Sequence, residues 1–233
     1  MKPNITLAET TTPNGARMTL VEHDGSFCIR VNGQQLMHSK VATSEIQLGS
    51  IACERHGSAD QQPKVLIGGL GLGFTLKSVL DSTGPQASVH VVELFPEIVE
   101  WNRTYMAALN GDALKDERVE VITEDVADVI SRSTSSPYDA IALDIDNNTT
   151  AMVKTENHDL YGKQGIRKIW QALRPGGRAA LWFAAPDAAI ERLLEKAGFQ
   201  VQAMPAKVFG SSRREAYMIY VADKPLSDKT PTN

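Results

Sequence analysis

From Lys64 onward the chain repeats one alternation, a short run of branched apolar residues followed by a segment of helical period. "KVLIGG", "SVHVVEL", "RVEVITED", "YDAIALDID" and "RAALWFAA" read as strands. Between and after them, "FTLKSVLDS", "PEIVEWNRTYMAAL", "VADVISRS", "GKQGIRKIWQALRPGG" and "DAAIERLLEKAG" read as helices, the second opening with Pro96 in its first turn. Strands joined through helices form right-handed crossovers and a mostly parallel sheet. The last two strands, "FQVQAMP" and "AYMIYVAD", are separated only by "AKVFGSSRRE". That link is too short for a crossover helix, so the pair is antiparallel at the sheet's edge.

Five parallel strands, then a helix and an antiparallel pair, is the layout of the S-adenosylmethionine-dependent transferase fold. The expected architecture is therefore α/β: a three-layer, Rossmann-like arrangement with a seven-stranded, mostly parallel sheet and an antiparallel last strand. Ahead of it, residues 18–38 alternate apolar and polar around "HDGS" and "VNGQ", the turn chemistry of a small antiparallel meander. "SEIQLGSIACERHG" reads as a helix with Ser44 as N-cap, Gln47 completing a capping box and Gly57 as C-cap. Four stretches are expected: an unstructured polar N-terminus over 1–17, the meander and helix over 18–62, the α/β domain over 63–223, and a flexible tail over 224–233.

The formal net charge of −4 gives no basic footprint for nucleic acid or an anionic membrane surface. Neither partner is expected. Cys28 and Cys53 are too few for a disulfide framework, and the five histidines do not cluster at metal-ligand spacing, so no metal is expected. No apolar run suits a signal peptide or a membrane span, which points to a cytoplasmic protein.

The first parallel strand ends in "GGLGLG". In open α/β sheets ligands lie past the carboxyl ends of the strands, where strand order reverses. Missing side chains at Gly69, Gly71 and Gly73 let a nucleoside lie against the backbone. A dinucleotide fingerprint would place its last glycine at Phe74, and a phosphate-binding loop would end in GK[ST]; neither is present. Glu93 ends the next strand, where an ionised carboxylate accepts hydrogen bonds from a ribose diol and repels phosphate. Asp125 follows the third strand, where it either meets an adenine amino group or caps a helix. Asp144 ends the fourth, beside the glycine loop, where the reactive end of a cofactor and a candidate general base would meet. Tyr161 and Asn157 lie in "KTENHDLYGK", the long connection where an acceptor pocket would form.

From about Met18 to Asp223 the chain resembles the spermidine synthase group of this fold. "VLIGGLGLGF", "VVELFPEIVEWNR", "DERVEVITEDVADVI", "YDAIALDID" and "LYGKQGIRKIWQALRPGG" carry the resemblance. It implies that Glu93 holds the ribose, Asp125 the adenine, and that Asp144 deprotonates or orients an acceptor amine. Where the family's GGGDG loop has an Asp for the aminopropyl tail, this chain has Leu72. Where the family has DxxDP, "DIDNN" keeps Asp144 and brings Asp146 and Asn147 as substrate-binding candidates. The family's Tyr-x-Glu motif is missing from "SEIQLGSIAC". The resemblance also implies a homodimer formed through the N-terminal region.

A sulfonium is an excellent leaving group from any of its carbons, so the protein's task is alignment and exclusion of water. The first reading is methyl transfer from S-adenosylmethionine to a small molecule, an amine among the candidates. Leu72 favours it, since an acid there would repel the methionine carboxylate. The second is aminopropyl transfer from decarboxylated S-adenosylmethionine. The third is a nucleoside-binding module without catalysis.

Overall fold

The computed structural model describes residues 3–145, 160–207 and 215–226. Strands β1 (Ile5–Thr11), β2 (Arg17–His23), β3 (Ser26–Val31) and β4 (Gln34–His38) form an antiparallel sheet in that order. Both predicted turns are present. Asp24 and Gly25 (φ 49° and 74°) and Asn32 and Gly33 (φ 49° and 79°) each supply two successive left-handed residues, as a two-residue hairpin turn of matching twist requires. The N-terminus corrects the expectation of an unstructured stretch over 1–17, because β1 pairs along its length with β2. Its polar composition hid a strand: "ITLAETT" is rich in β-branched residues, and an edge strand tolerates polar side chains.

Helix α1 (Thr43–Cys53) follows, but its ends differ from the expectation. Ala42 occupies the N-cap position without a side-chain cap, and the Ser44 hydroxyl instead donates to the Glu45 carboxylate at 2.6 Å. The helix closes at Glu54, three residues short of Gly57.

The second sheet contains β5 (Lys64–Gly68), β6 (Ser88–Glu93), β7 (Val119–Thr123), β8 (Tyr138–Leu143), β9 (Leu173–Phe183), β10 (Gln200–Lys207) and β11 (Glu215–Asp223). Its order is β10-β11-β9-β8-β5-β6-β7, and β11 alone runs against its neighbours. This is the seven-stranded, mostly parallel sheet that the sequence predicts. Helices α2 (Phe74–Asp81), α3 (Pro96–Thr104), α4 (Ala107–Asn110), α5 (Val126–Arg132), α6 (Lys163–Ala172) and α7 (Ala188–Lys196) complete the α/β layers. Helix α6 stops five residues before Gly177, because Arg174 precedes Pro175 and is sterically biased away from helical geometry.

Successive strand residues point to opposite faces, and both faces are covered. Val65, Ile67, Val89 and Val91 enter a core shared with α2, α3 and the N-terminal sheet. Leu66, Val92, Ile141 and Leu143 enter a second core with α5, α6 and α7. Strand order reverses between β5 and β8, with β5 flanked by β6 on one side and β8 on the other.

Two devices dock α1 onto this scaffold. Gly49 lets α1 approach α2 so closely that a Cβ there would stand 2.7 Å from the Ser78 Cβ, and Ser78 Oγ donates to Ile46 O at 2.6 Å. At the other end Arg178 (7% exposed) donates to Ile51 O at 3.0 Å and to the carboxylates of Glu54 and Asp223. A buried guanidinium with these partners fixes the C-terminus of α1.

Candidate active site

A cavity of about 330 Å³ opens past the carboxyl ends of β5, β6, β7 and β8, at the reversal point. The N-terminal sheet closes it from above with Gln35, Leu36, Met37 and His38 of β4. Apolar walls come from Val92, Phe95, Ile98 and Val126.

The glycine loop divides its work. Gly69 and Gly71 line the cavity. A side chain on Gly69 would collide with the Asp144 carbonyl, and one on Gly71 would meet the Met37 sulfur at 2.6 Å. Gly73 is placed differently. It lies outside the described lining, is the N-cap of α2 at φ 84°, and leaves room for Asn110, whose Nδ2 would be 2.6 Å from a Cβ. Behind the loop, Asn102 Nδ2 donates to Gly71 O at 2.8 Å, and Asn102 Oδ1 accepts from Asn110 at 2.8 Å. Both amides are buried (2% and 3% exposed), so the loop backbone is held by hydrogen bonds that water does not contest. Leu72 is 4% exposed and packs into the core rather than lining the cavity.

Glu93 lines the cavity, and its two oxygens accept from the Leu70 N–H at 2.9 Å and the Phe95 N–H at 3.0 Å. Burial pushes its pKa up, against the pull of these backbone donors. Asp125 is the N-cap of α5, its Oδ1 accepting from Ala127 N at 2.9 Å, and the residue also lines the cavity.

Asp144 opens onto the same cavity. Burial first, then the charge of Glu45, lifts its pKa from 3.8 to about 7; a hydrogen bond from Thr75 Oγ1 at 2.7 Å opposes the rise, and Glu93 adds to it. Glu45 also lines the cavity, and its own pKa is raised, by burial, against a hydrogen bond from Ser44. Tyr217 has its phenol pushed up by burial and by Glu45, and its ring lies 4.9 Å from that of Trp182. Both aromatic residues face the cavity.

Sequence reasoning missed Glu45, Trp182 and Tyr217. No local signal marked Glu45, since its surroundings read only as the start of a helix. Tyr161 is brought elsewhere: it is 7% exposed, packs edge-on to Phe183 at 5.0 Å and sits in the core beside α6. Its long apolar ring follows Leu160 into that core, which a pattern search in a polar connection does not register. Asp146, Asn147 and Asn157 lie outside the described residues.

The described lining thus contains five carboxylates, Glu45, Glu93, Glu124, Asp125 and Asp144, beside apolar and aromatic walls. An adenosine fits this set of acceptors. Its flat base suits the apolar walls, its hydroxyl and amino groups are donors to carboxylates, and the missing side chains of Gly69 and Gly71 leave the backbone open to it.

Comparison with known proteins gives a consistent picture. A family model described as the spermine/spermidine synthase domain matches residues 47–181. A polyamine aminopropyltransferase of Corynebacterium efficiens is 32% identical over 125 residues, which is 52% of this chain and 23% of that protein. Putrescine N-methyltransferase 2 of Nicotiana attenuata is 31% identical over 121 residues, 52% of this chain and 31% of that protein. The matched segments therefore span less than a third of either relative. Among solved structures, a spermidine synthase in complex with the transition-state analogue AdoDATO superposes with a TM-score of 0.76 at 19% identity, covering 95% of this chain and 74% of that one.

Proposed function

The chain belongs to the spermine/spermidine synthase family, and from that premise we propose that it transfers an alkyl group from a sulfonium nucleoside to the nitrogen of a small amine. One observation carries the reading: Glu45 and Asp144, two mutually repelling carboxylates, open onto the cavity that the glycine loop bounds. Two acids held together at a cost in desolvation and repulsion are relieved by a cation, and an alkylammonium is the cation that fits beside Trp182 and Tyr217.

The roles follow from the chemistry. Gly69, Gly71, Glu93 and Asp125 hold the nucleoside, and Glu93 also braces the loop through Leu70 N–H. The bound sulfonium supplies an electrophilic carbon and a neutral thioether leaving group. Attack needs a free amine. Asp144, with a pKa of about 7, accepts the ammonium proton near neutrality, while Glu45 keeps the nitrogen end in place. The N-terminal sheet excludes water from above.

Methyl transfer from S-adenosylmethionine is our first reading, because the loop position that would carry an acid for an aminopropyl ammonium is Leu72, turned into the core. Aminopropyl transfer from decarboxylated S-adenosylmethionine is the second, favoured by the acidic lining, which suits a donor that carries no carboxylate. The test is to incubate the protein with each donor and a panel of diamines, monoamines and alcohols, and to identify products by mass spectrometry. Calorimetry with S-adenosylhomocysteine and methylthioadenosine runs beside it. A methylated or an aminopropylated amine decides between the two readings. Failure to bind any of the nucleosides overturns both.

A further inference from the structure

Thr75 is 2% exposed on the first turn of α2, and nothing in the nucleoside-holding set accounts for it. Its hydroxyl faces two acceptors. One is Asp144 Oδ2 at 2.7 Å; the other is the Glu45 backbone carbonyl at 3.3 Å. A hydroxyl has one hydrogen, so it donates to one of these at a time. When Asp144 is ionised, the shorter, charge-assisted bond to the carboxylate wins. When Asp144 carries a proton, its acceptor strength falls, and the Thr75 hydrogen is available to the carbonyl of α1.

We propose that Thr75 is a positioning residue that links the protonation of Asp144 to the seating of α1, the helix that carries Glu45. The inference rests on the reading of Asp144 as the group that meets the acceptor amine. As the amine gives its proton to Asp144, the Thr75 hydroxyl rotates from Oδ2 toward Glu45 O; it keeps its own hydrogen, and no other proton moves. Before the transfer the same hydroxyl fixes the carboxylate's direction. The seam is narrow enough to transmit this, because Gly49 of α1 lies against the Thr75 carbonyl, with a Cβ there at 2.8 Å, and Ser78 one turn on grips Ile46 O.

The titratable groups that line the cavity with Asp144 are Glu45 from α1, Glu93 at the end of β6, Glu124 and Asp125 after β7, His38 from β4 and Tyr217 from β11. Glu45 and Glu93 both raise its pKa. Burial, with Lys40 and Arg30, holds His38 below the usual histidine range. Thr75 is the donor that works against the two glutamates.

The test compares Thr75→Val, which keeps the shape and removes the hydroxyl, with Thr75→Ser, which keeps the hydroxyl. The Asp144 titration is followed by carboxyl-carbon NMR, with Asp144→Asn to assign the signal. The pH profile of alkyl transfer is followed in parallel. A lost hydrogen bond to a charged group shifts the midpoint upward by about one to two pH units in Thr75→Val. Thr75→Ser returns it close to the parent value. Thr75→Ala gives the same displacement if the valine variant does not fold. An unmoved midpoint in the hydroxyl-free variants, or a serine variant displaced as far as they are, overturns the proposal. The NMR titration needs no substrate, so failure of the functional reading appears separately, as an absence of nucleoside binding with the titration shift intact.

Discussion

Replacing Asp144 by Asn should make the folded protein more stable at alkaline pH while abolishing transfer. The displacement of the Asp144 pKa from 3.8 to about 7 means that the folded state binds this proton far more tightly than the unfolded chain does. A carboxyl group raised in this way favours folding at low pH. Its contribution is lost as pH rises from about 4 and is gone above about 7, where the anion is buried beside Glu45 and Glu93. The full span corresponds to roughly 4 kcal/mol. Asn has the same shape, and its carbonyl still accepts the Thr75 hydroxyl, so below pH 4 the two proteins should differ little. At pH 8 the variant should be the more stable, with roughly 4 kcal/mol as the ceiling. Urea unfolding followed by tryptophan fluorescence at pH 4, 6 and 8 reads this directly. A stability difference that stays constant across the three values, or a variant less stable at pH 8, refutes the argument that Asp144 is held in a strained ionisation state for function.

Glu45→Gln removes the largest charge acting on Asp144, so the Asp144 titration should move down, and the KM for a diamine should rise about tenfold or more through loss of a buried ionic partner; carboxyl NMR and steady-state kinetics check the two halves. Asn102→Ala deletes the amide that holds Gly71 O and leaves Asn110 without its acceptor, so S-adenosylhomocysteine should bind about tenfold more weakly by calorimetry, with the acceptor KM unchanged. The edges of the N-terminal sheet, β1 and β4, are open to further pairing, and light scattering should give a homodimer, twice the chain mass.

Much of the site was legible because its first members are set by local rules. A strand that ends at Gly68 is followed by a glycine-rich loop, and Glu93, Asp125 and Asp144 lie at or just past the ends of β6, β7 and β8. Such a series can be read by aligning each residue with the end of its own strand. Asp125 shows the limit of that method. Its residue type and position suit both a helix cap and a cavity wall, and the structure assigns it to both. Gly73 shows another limit. Glycine spacing marks a close approach without saying to what, and here the neighbour is the amide of Asn110.

The sequence by itself determined the fold class, since the lengths and periods of apolar runs are properties of neighbouring residues and leave few topologies open. It also determined which strand ends carry carboxylates. The tertiary structure alone decided that Glu45 stands with Asp144, nearly a hundred positions away, because that meeting depends on how α1 docks. Gly49 and Ser78 set the approach of α1 to α2, Arg178 fixes its far end, and no local pattern encodes either contact. Tyr161, placed by the sequence in a substrate pocket, went to the core for the same reason. A side chain's destination is fixed by what else packs around it, and that is a property of the assembled layers.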